Sequence, residues 1–434
     1  MPNDLADDLL RYIDAAPTPW HAVAETTRRL EAAGFCRLDE REKWTLKAGD
    51  RVYVVRAGTS VAAFQLGTEP VDRTGFRLVG AHTDSPNLRL KPNAAYAKAG
   101  FQQLAVEVYG GVLWYTWLDR DLSLAGRVVV ATPDGGTRTH LVDFGRTAIA
   151  RVPSLAIHLN RSVNTEGLKL NPQEHLAPVW ALDGEGNRAG VRAEVAKQLA
   201  RTGVKVEVED VLAYDLCLYD VQPGARSGLV GEFIQSARLD NLASCHAGLT
   251  ALLEKRDRRS TVGIVLYDHE EVGSRSAQGA ASPFLRDCLE RITLAHSDGA
   301  GDAFHRAIQA SFLISADMAH GIHPNYAEKH EPRHQPVLGA GPVIKSNVNQ
   351  SYATDAESMA FFVSLCRACD VQPQHFVVRT DLPCGSTIGP ITAGELGIRT
   401  IDVGNPMLGM HSIREMAAAA DVEKMIAVLR RFFA

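Results

Sequence analysis

Several things are scarce in this chain of 434 residues, and each shortage closes off a class of function. No apolar run approaches the roughly 18 residues of a bilayer-spanning helix, so a membrane is not expected as partner. The opening MPNDLADDLL is acidic and lacks the apolar segment of a signal peptide, which points to a cytoplasmic protein. The seven cysteines, Cys36, Cys217, Cys245, Cys288, Cys366, Cys369 and Cys384, are scattered and odd in number. They fit a reducing compartment better than a disulfide framework. Cys366 and Cys369 form a C-x-x-C, but within the amphipathic FFVSLCRACDV, which reads as core packing. Positive charge is not in excess. The formal net charge is -5, so neither nucleic acid nor an anionic surface is an expected partner. The densest basic run, 255–259, reads as a solvated helix end. Internal repeats, low-complexity segments and a phosphate-cradling glycine loop are all lacking.

What is present is ordinary globular material, 45% hydrophobic and 22% charged, enough for two or three domains. Leu5, Leu9, Leu10 and Ile13 share one helical face, and Pro17 ends that helix. A second helix begins near Trp20 and ends at Gly34. From Val52 the runs VYVVRAG, SVAAFQLG and FRLVGAH read as strands. Residues 95–228 hold paired β runs and an irregular Asn/Pro/Gly-containing middle, with one clear helical pattern at Arg192 to Thr202. They read as an inserted, mostly β domain between a first catalytic part, 1–94, and a second, 229–434. After Gly231 a helix is expected over Asn241 to Lys255. Strands follow at Thr261 to Tyr267, Ser311 to Ser315 and Arg399 to Val403. That alternation predicts an α/β fold with a largely parallel sheet and helices on both faces.

The ionisable residues fall at informative places. His82 and Asp84 follow the apolar run FRLVG; Asp268 to Glu271 follow TVGIVLY; Asp317 follows SFLIS; His411 lies in the loop after TIDVG. Open α/β sheets place ligands outside the carboxyl ends of their strands, so these clusters converge on one edge. Asp240, in RLDN, sits where a long helix starts. Each alone has a bland explanation: a capping aspartate, a surface turn, a loop histidine. Together, two histidines and three carboxylates without cysteine form a nitrogen/oxygen ligand set. It suits Zn²⁺, with Mn²⁺ or Co²⁺ as alternatives. Five protein ligands are too many for one open catalytic ion and fit two, roughly 3.5–4 Å apart. In the pair Glu270–Glu271 one carboxylate can ligate while its neighbour stays free as a base.

The stretches GAHTDSPNLRLKP, LAIHLNR, ARLDNLAS, DHEEVGS, SADMAHGIHPNY, KSNVNQSYATD, TDLPCGSTIGP and GMHSIREM resemble the aspartyl aminopeptidase family of two-metal peptidases, across essentially the whole chain. The resemblance implies that His82 and Asp317 hold one metal, Glu271 and His411 the other, and that Asp240 bridges them. Glu270 would be the general base and Asp84 would orient His82. It implies a phosphorylase/hydrolase-like three-layer α/β sandwich, with the insertion as a dimerisation domain, and a homo-oligomer of dimers built into a tetrahedral dodecamer. His158, in LAIHLNR, would reach a neighbouring subunit's site. Lys345, His320 and Tyr352 would contact substrate, with Lys345 favouring peptides that begin with Asp or Glu. Two other readings stay open. One is a two-metal deacylase or an aminopeptidase of broader specificity. The other is a non-enzymatic, metal-stabilised shell, against which the spare carboxylate of Glu270 argues.

Overall fold

The computed structural model describes residues 4–184, 190–254, 258–299 and 301–434. The chain divides into two compact units. The first comprises Met1–Asp84, Gly224–Met410 and Glu415–Ala434; the second, Ser85–Pro223 with His411–Arg414. The second unit therefore starts ten residues before the expected boundary at 95, because the strand Asn87–Lys98 runs through that position.

The first unit is built on a nine-stranded sheet. Its order is Cys36–Arg37, Arg51–Arg56, Ser60–Gln65, Thr261–Tyr267, Phe76–His82, Phe312–Ala316, Arg399–Gly404, Val343–Ser346 and Gln374–Val377. The four strands from Thr261–Tyr267 to Arg399–Gly404 are parallel. On both sides of them antiparallel pairs intervene, so the sheet is mixed, with five of its eight strand pairs parallel. Period-two alternation divides the central strands between two cores. Val79, Ala81 and Ile264 pack with Leu9, Leu249 and Leu429. Phe76, Leu78 and Val265 pack instead with Phe284, Leu289 and Ile308. Helices thus cover both faces. Gly263 is required between strands: a Cβ there would lie 2.5 Å from the Phe64 ring and 2.7 Å from the Ala63 carbonyl.

The N-terminal helices form where the sequence pattern puts them. Asp4 caps Leu5–Asp14 by accepting from Ala6 N–H, and Leu9, Leu10 and Ile13 are buried. The next helix, Pro19–Ala32, opens on a proline whose missing N–H costs nothing there. The long helix spans Leu239–Leu252, shorter than expected at its end. The basic run behaves differently from a solvated helix end at Arg258. That side chain is buried, donates to the Phe433 carbonyl at 2.5 Å and lies over the Phe433 ring. Residues 255–257 of the run lie outside the described residues. Cys366 is a core residue and both thiols of the C-x-x-C are free.

A smaller five-stranded sheet in the first unit has the order Ala225–Ser227, Phe233–Ser236, Glu415–Ala418, Pro406–Leu408 and Ala319–His320. The second unit carries a six-stranded sheet, every pair antiparallel, in the order Thr137–Asp143, Leu122–Ala131, Val211–Asp220, Asn87–Lys98, Phe101–Tyr109 and Val179–Leu182. Its helix Val191–Arg201 packs Val195 and Leu199 into the same core as Leu124 and Leu216. No helix of the described residues is long and apolar enough to cross a membrane.

Candidate active site

Strand register assembles the site. Tyr267 pairs with His82 in the parallel ladder, so Asp268 and the residues after it leave the sheet at the level of His82. On the other side Ser315 pairs with Gly80, which brings Asp317 to the same level. Three adjacent parallel strands therefore deliver His82, Glu270, Glu271 and Asp317 to one carboxyl edge. Asp240 arrives from the helix Leu239–Leu252, whose first residues are not helical. Arg238 is left-handed, with φ 60°, and Asp240 has ψ 107°. Asp240 is thus no helix cap: its N–H donates to Glu415 Oε2 at 3.1 Å.

His82 is buried and its two ring nitrogens have different surroundings. Nδ1 lies 3.0 Å from the Asp84 carbonyl and 3.3 Å from Asp84 Oδ1, so it carries the proton. Nε2 then presents a lone pair toward Asp317 Oδ1 at 3.6 Å, Asp240 Oδ1 at 3.7 Å and Glu270 Oε2 at 4.0 Å. A lone pair facing carboxylates is repulsive unless a cation lies between them. The distances suit a cation bound to all rather than direct hydrogen bonds. His82, Asp240 and Asp317 can each offer a ligand atom within 4.8 Å of the others, as can His82, Glu270 and Glu271. The donor set, imidazole nitrogen with carboxylate oxygens, is one zinc accepts. The residues fit the metal that the sequence pattern implies.

Ionisation tells the same story. Burial opposes charge on Glu270, and the charges of Asp317, Asp84 and Asp240 add to it, pushing the carboxyl up to about 8. Burial and the charge of Asp240 raise Glu271 well above the usual range. Burial also opposes charge on His82, yet the carboxylates of Asp317, Asp84 and Glu270 around its ring outweigh it and hold the imidazole well above its ordinary value. Without a metal, protons do the work of a cation. Asp317 goes the other way. Burial would raise it, but Lys345 and His82 hold it below the usual carboxylate range.

Asp84 does more than face His82. Its Oδ1 accepts from Glu270 N–H and its Oδ2 from Glu271 N–H, both at 3.2 Å, which fixes the turn carrying the two glutamates. Lys345 is buried near the end of its strand. Its Nζ lies 3.2 Å from the Met318 carbonyl, 3.4 Å from Asp317 Oδ2 and 5.2 Å from the centre of the buried Tyr352 ring. The structure therefore places Lys345 against a candidate ligand, not alone in a pocket. His320 sits in the small sheet, with its ring edge-on to Phe376. His158 and His411 belong to the second unit. His158 lies on the exposed turn Ile157–Leu159 and makes no hydrogen bond among the described residues. His411 is left-handed, φ 68°, with Nδ1 3.1 Å from the Gly111 carbonyl.

A model of the family described as aminopeptidase I zinc metalloprotease (M18) matches residues 12–433. The chain belongs to the M18 aminopeptidase family. A "Probable M18 family aminopeptidase 2" of Pseudomonas aeruginosa (strain UCBPP-PA14) is 52% identical over 435 residues, spanning 100% of this chain and 99% of that relative. A chain in the solved complex of Ape4 and Nbr1 matches with TM-score 0.95 and 37% identity, over 99% of this chain and 85% of that one. The S. cerevisiae mApe1 dodecamer matches with TM-score 0.86 and 30% identity, over 99% of this chain and 96% of that one. The M18 chain is accordingly a metallo-aminopeptidase, of a family of zinc enzymes.

Residues around the site that the sequence pattern did not single out complete it in the M18 chain. Glu415, buried, receives Asp240 N–H. Asn241 Nδ2 donates to the Ala316 carbonyl at 2.9 Å, next to Asp317. Cys245 Sγ donates to the His82 carbonyl at 2.9 Å, and burial pushes its thiol up to about 12. Asp402 is fully buried. It accepts from Thr387 Oγ1 and from Ala353 N–H, both at 2.6 Å, and so anchors the segment that carries Tyr352. Only Asp402 left a usable signal: a lone charge inside the apolar strand TIDVG must find partners when buried.

Proposed function

We propose that the chain releases N-terminal residues from peptides, acidic ones by preference, with Glu270 as general base beside two divalent ions, zinc first among the candidates. His82 and Asp317 would hold one ion, Glu271 and His411 the other, with Asp240 shared. The place of His411 follows the resemblance of GMHSIREM. Divalent ions held there would supply Lewis acidity, lowering the pKa of water and polarising the scissile carbonyl. Glu270 takes the proton of the attacking water and returns it to the leaving amine. Asp84 keeps Glu270 in place through its backbone N–H and keeps the His82 lone pair aimed at the carboxylates.

The observation that carries this reading is the His82 Nε2 facing Asp240, Asp317 and Glu270 within 4.0 Å. Glu270→Gln should keep zinc by elemental analysis and lose about 10²–10⁴-fold in turnover of an aminoacyl anilide. Wild-type-like turnover in that variant would remove Glu270 from its role. A two-metal deacylase would use the same residues. It would hydrolyse an N-acyl amino acid and spare a peptide with a free amine.

Acid preference rests on Lys345. Its ammonium has three donor hydrogens; the Met318 carbonyl and Asp317 take two, which leaves one for a substrate carboxylate. Lys345→Met should remove any preference for Asp- or Glu-peptides over Leu-peptides. His320 and Tyr352 complete the proposed substrate contacts. The sheet with cores on both faces suits a three-layer sandwich, and the second unit suits a dimerisation domain. mApe1 of S. cerevisiae is a dodecamer, and we extend a homo-oligomer of dimers, reaching a tetrahedral dodecamer, to this chain. The exposed Leu155, Ile157 and Leu159 around His158 favour a covering neighbour and the trans role of that histidine. Light scattering of the purified protein measures the assembly.

A further inference from the structure

A cleft of about 320 Å³ opens in the first unit beside, but not within, the cluster of carboxylates. It shares chain segments with the site, since His320 lies three residues after Asp317 and the lining residue Met410 immediately precedes His411. Its walls are His320, His323, Lys329, His330, Phe376 and Arg379, and among the described residues no carboxylate lines it. Its volume is that of a small-ligand pocket.

The polar groups in this cleft are not equivalent. Arg379 is committed. It forms a two-pronged pair with Asp381 at 2.7 and 2.9 Å and donates to the Glu328 carbonyl at 2.6 Å. It thereby ties the wall to the turn Ala327–Lys329. Lys329 is exposed and forms no ion pair among the described residues. His330 is 91% buried by its 9% exposure, edge-on to Phe376. Its Nε2 lies 3.4 Å from the His320 carbonyl, which can only accept, so Nε2 carries hydrogen. Its Nδ1 is buried with no hydrogen-bond partner. A buried polar atom left unpaired costs stability, and such atoms are few in native structures. His323 accepts from Asn325 N–H through Nδ1, which leaves Nε2–H as a donor. One committed cation, one uncommitted cation, a histidine donor and an unsatisfied buried histidine therefore surround the same space.

We propose that this cleft binds a carboxylate of the peptide downstream of the scissile bond, with Lys329 and His330 as its principal contacts. The inference rests on the aminopeptidase reading above. Lys345, proposed to meet the N-terminal side chain, is not part of the cleft and sits instead between Asp317 and Tyr352. The N-terminal residue has one side chain, so a second cationic position is available to the later residues of the peptide. Lys329 would neutralise the carboxylate, and a water donating one O–H to the carboxylate and the other to His330 Nδ1 would satisfy that buried nitrogen. The carboxylate can come from the C-terminus of a short peptide or from an acidic side chain.

The experiment uses three tripeptides that share the best-cleaved N-terminal residue followed by alanine. One ends in alanine with a free C-terminus, one in alanine amide and one in glutamate amide. The zinc-loaded wild type should show a KM about 3- to 10-fold lower for the free acid than for the alanine amide, the range of partly exposed charge-assisted contacts. A low KM for the glutamate amide as well would assign the contact to side chains also. Lys329→Met, a change at an exposed position, should erase the difference, and His330→Gln should reduce it. Equal KM values for all three peptides in the wild type would overturn the inference while leaving the aminopeptidase intact. If no peptide is turned over, the functional reading fails instead. Calorimetric binding of the same peptides to wild type and Lys329→Met then decides the cleft alone: a free acid that binds no tighter than its amide overturns it.

Discussion

The parallel centre of the nine-stranded sheet and the antiparallel six-stranded sheet treat buried acids in opposite ways. In the second unit the one buried acid among the described residues meets a base: Asp220, almost fully buried, pairs with Arg120, and the half-exposed Asp215 likewise lies 2.6 Å from Arg127. At the carboxyl edge of the parallel strands Asp84, Asp240, Glu270, Glu271 and Asp317 gather around one histidine and one lysine. Antiparallel strands return the chain at both edges and spread their polar termini. Parallel strands bring every carboxyl end to one edge, where loops can concentrate charge. The antiparallel sheet neutralises its buried acid within the polypeptide, and the carboxyl edge of the parallel strands leaves charge for a bound cation to compensate.

That contrast can be broken most severely by removing the cation. Chelation should abolish peptide hydrolysis, and added zinc should restore it. The stripped protein should also gain an unusual pH response. Glu270 has a raised value in the metal-free fold, so the folded state holds protons that the unfolded chain has released between its ordinary value, about 4.3, and about 8. Stability is then lost as pH rises through that window. Melting temperatures of stripped protein should fall from pH 5 to pH 8, and zinc should flatten the slope. A flat profile without metal would remove the claim of uncompensated charge.

Smaller effects sharpen the other side. Asp220→Ala leaves Arg120 unpaired in a largely buried setting and should cost about 2–3 kcal/mol in urea denaturation, discounted from a fully buried pair because Arg120 is partly exposed. Zinc content should not change. The smallest effect concerns Asp8, whose carboxyl is held below its usual range by its hydrogen bond to His246, against the cost of burial, and by Arg29. A depressed acid stabilises above its unfolded value, about 3.9, and loses that contribution as pH falls through the folded one. Asp8→Asn should therefore be slightly less stable at pH 7 and should lose less on acidification below about pH 4.

Much of this was readable from residue patterns because periodicity and strand ends are local properties. FRLVGAH, TVGIVLY and SFLIS announce buried strands, and the ionisable residues just beyond them lie at the edge that strand register brings together. The five-stranded sheet was not readable. Its members, such as Ala319–His320 and Pro406–Leu408, are too short to show a period and pair across long sequence distances. The Asp240–Glu415 contact spans 175 residues, and nothing near either residue signals it. The left-handed Arg238 and His269 are likewise set by tertiary context, since neither position carries glycine or asparagine. Lys345 taken alone reads as a surface lysine, yet it is buried with its ammonium 3.4 Å from Asp317, because a buried cation needs a carboxylate beside it.

The thiol of Cys245 has a use beyond holding the His82 carbonyl. A buried thiol pushed up to about 12 does not react with alkylating reagents at neutral pH while its helix stays docked. Modification must wait for the helix Leu239–Leu252 to part from the strand Phe76–His82. Its labelling rate is therefore a clock for the opening of the site's foundation. Comparing that clock with and without zinc would time how long the ligand framework stays closed, independently of any substrate.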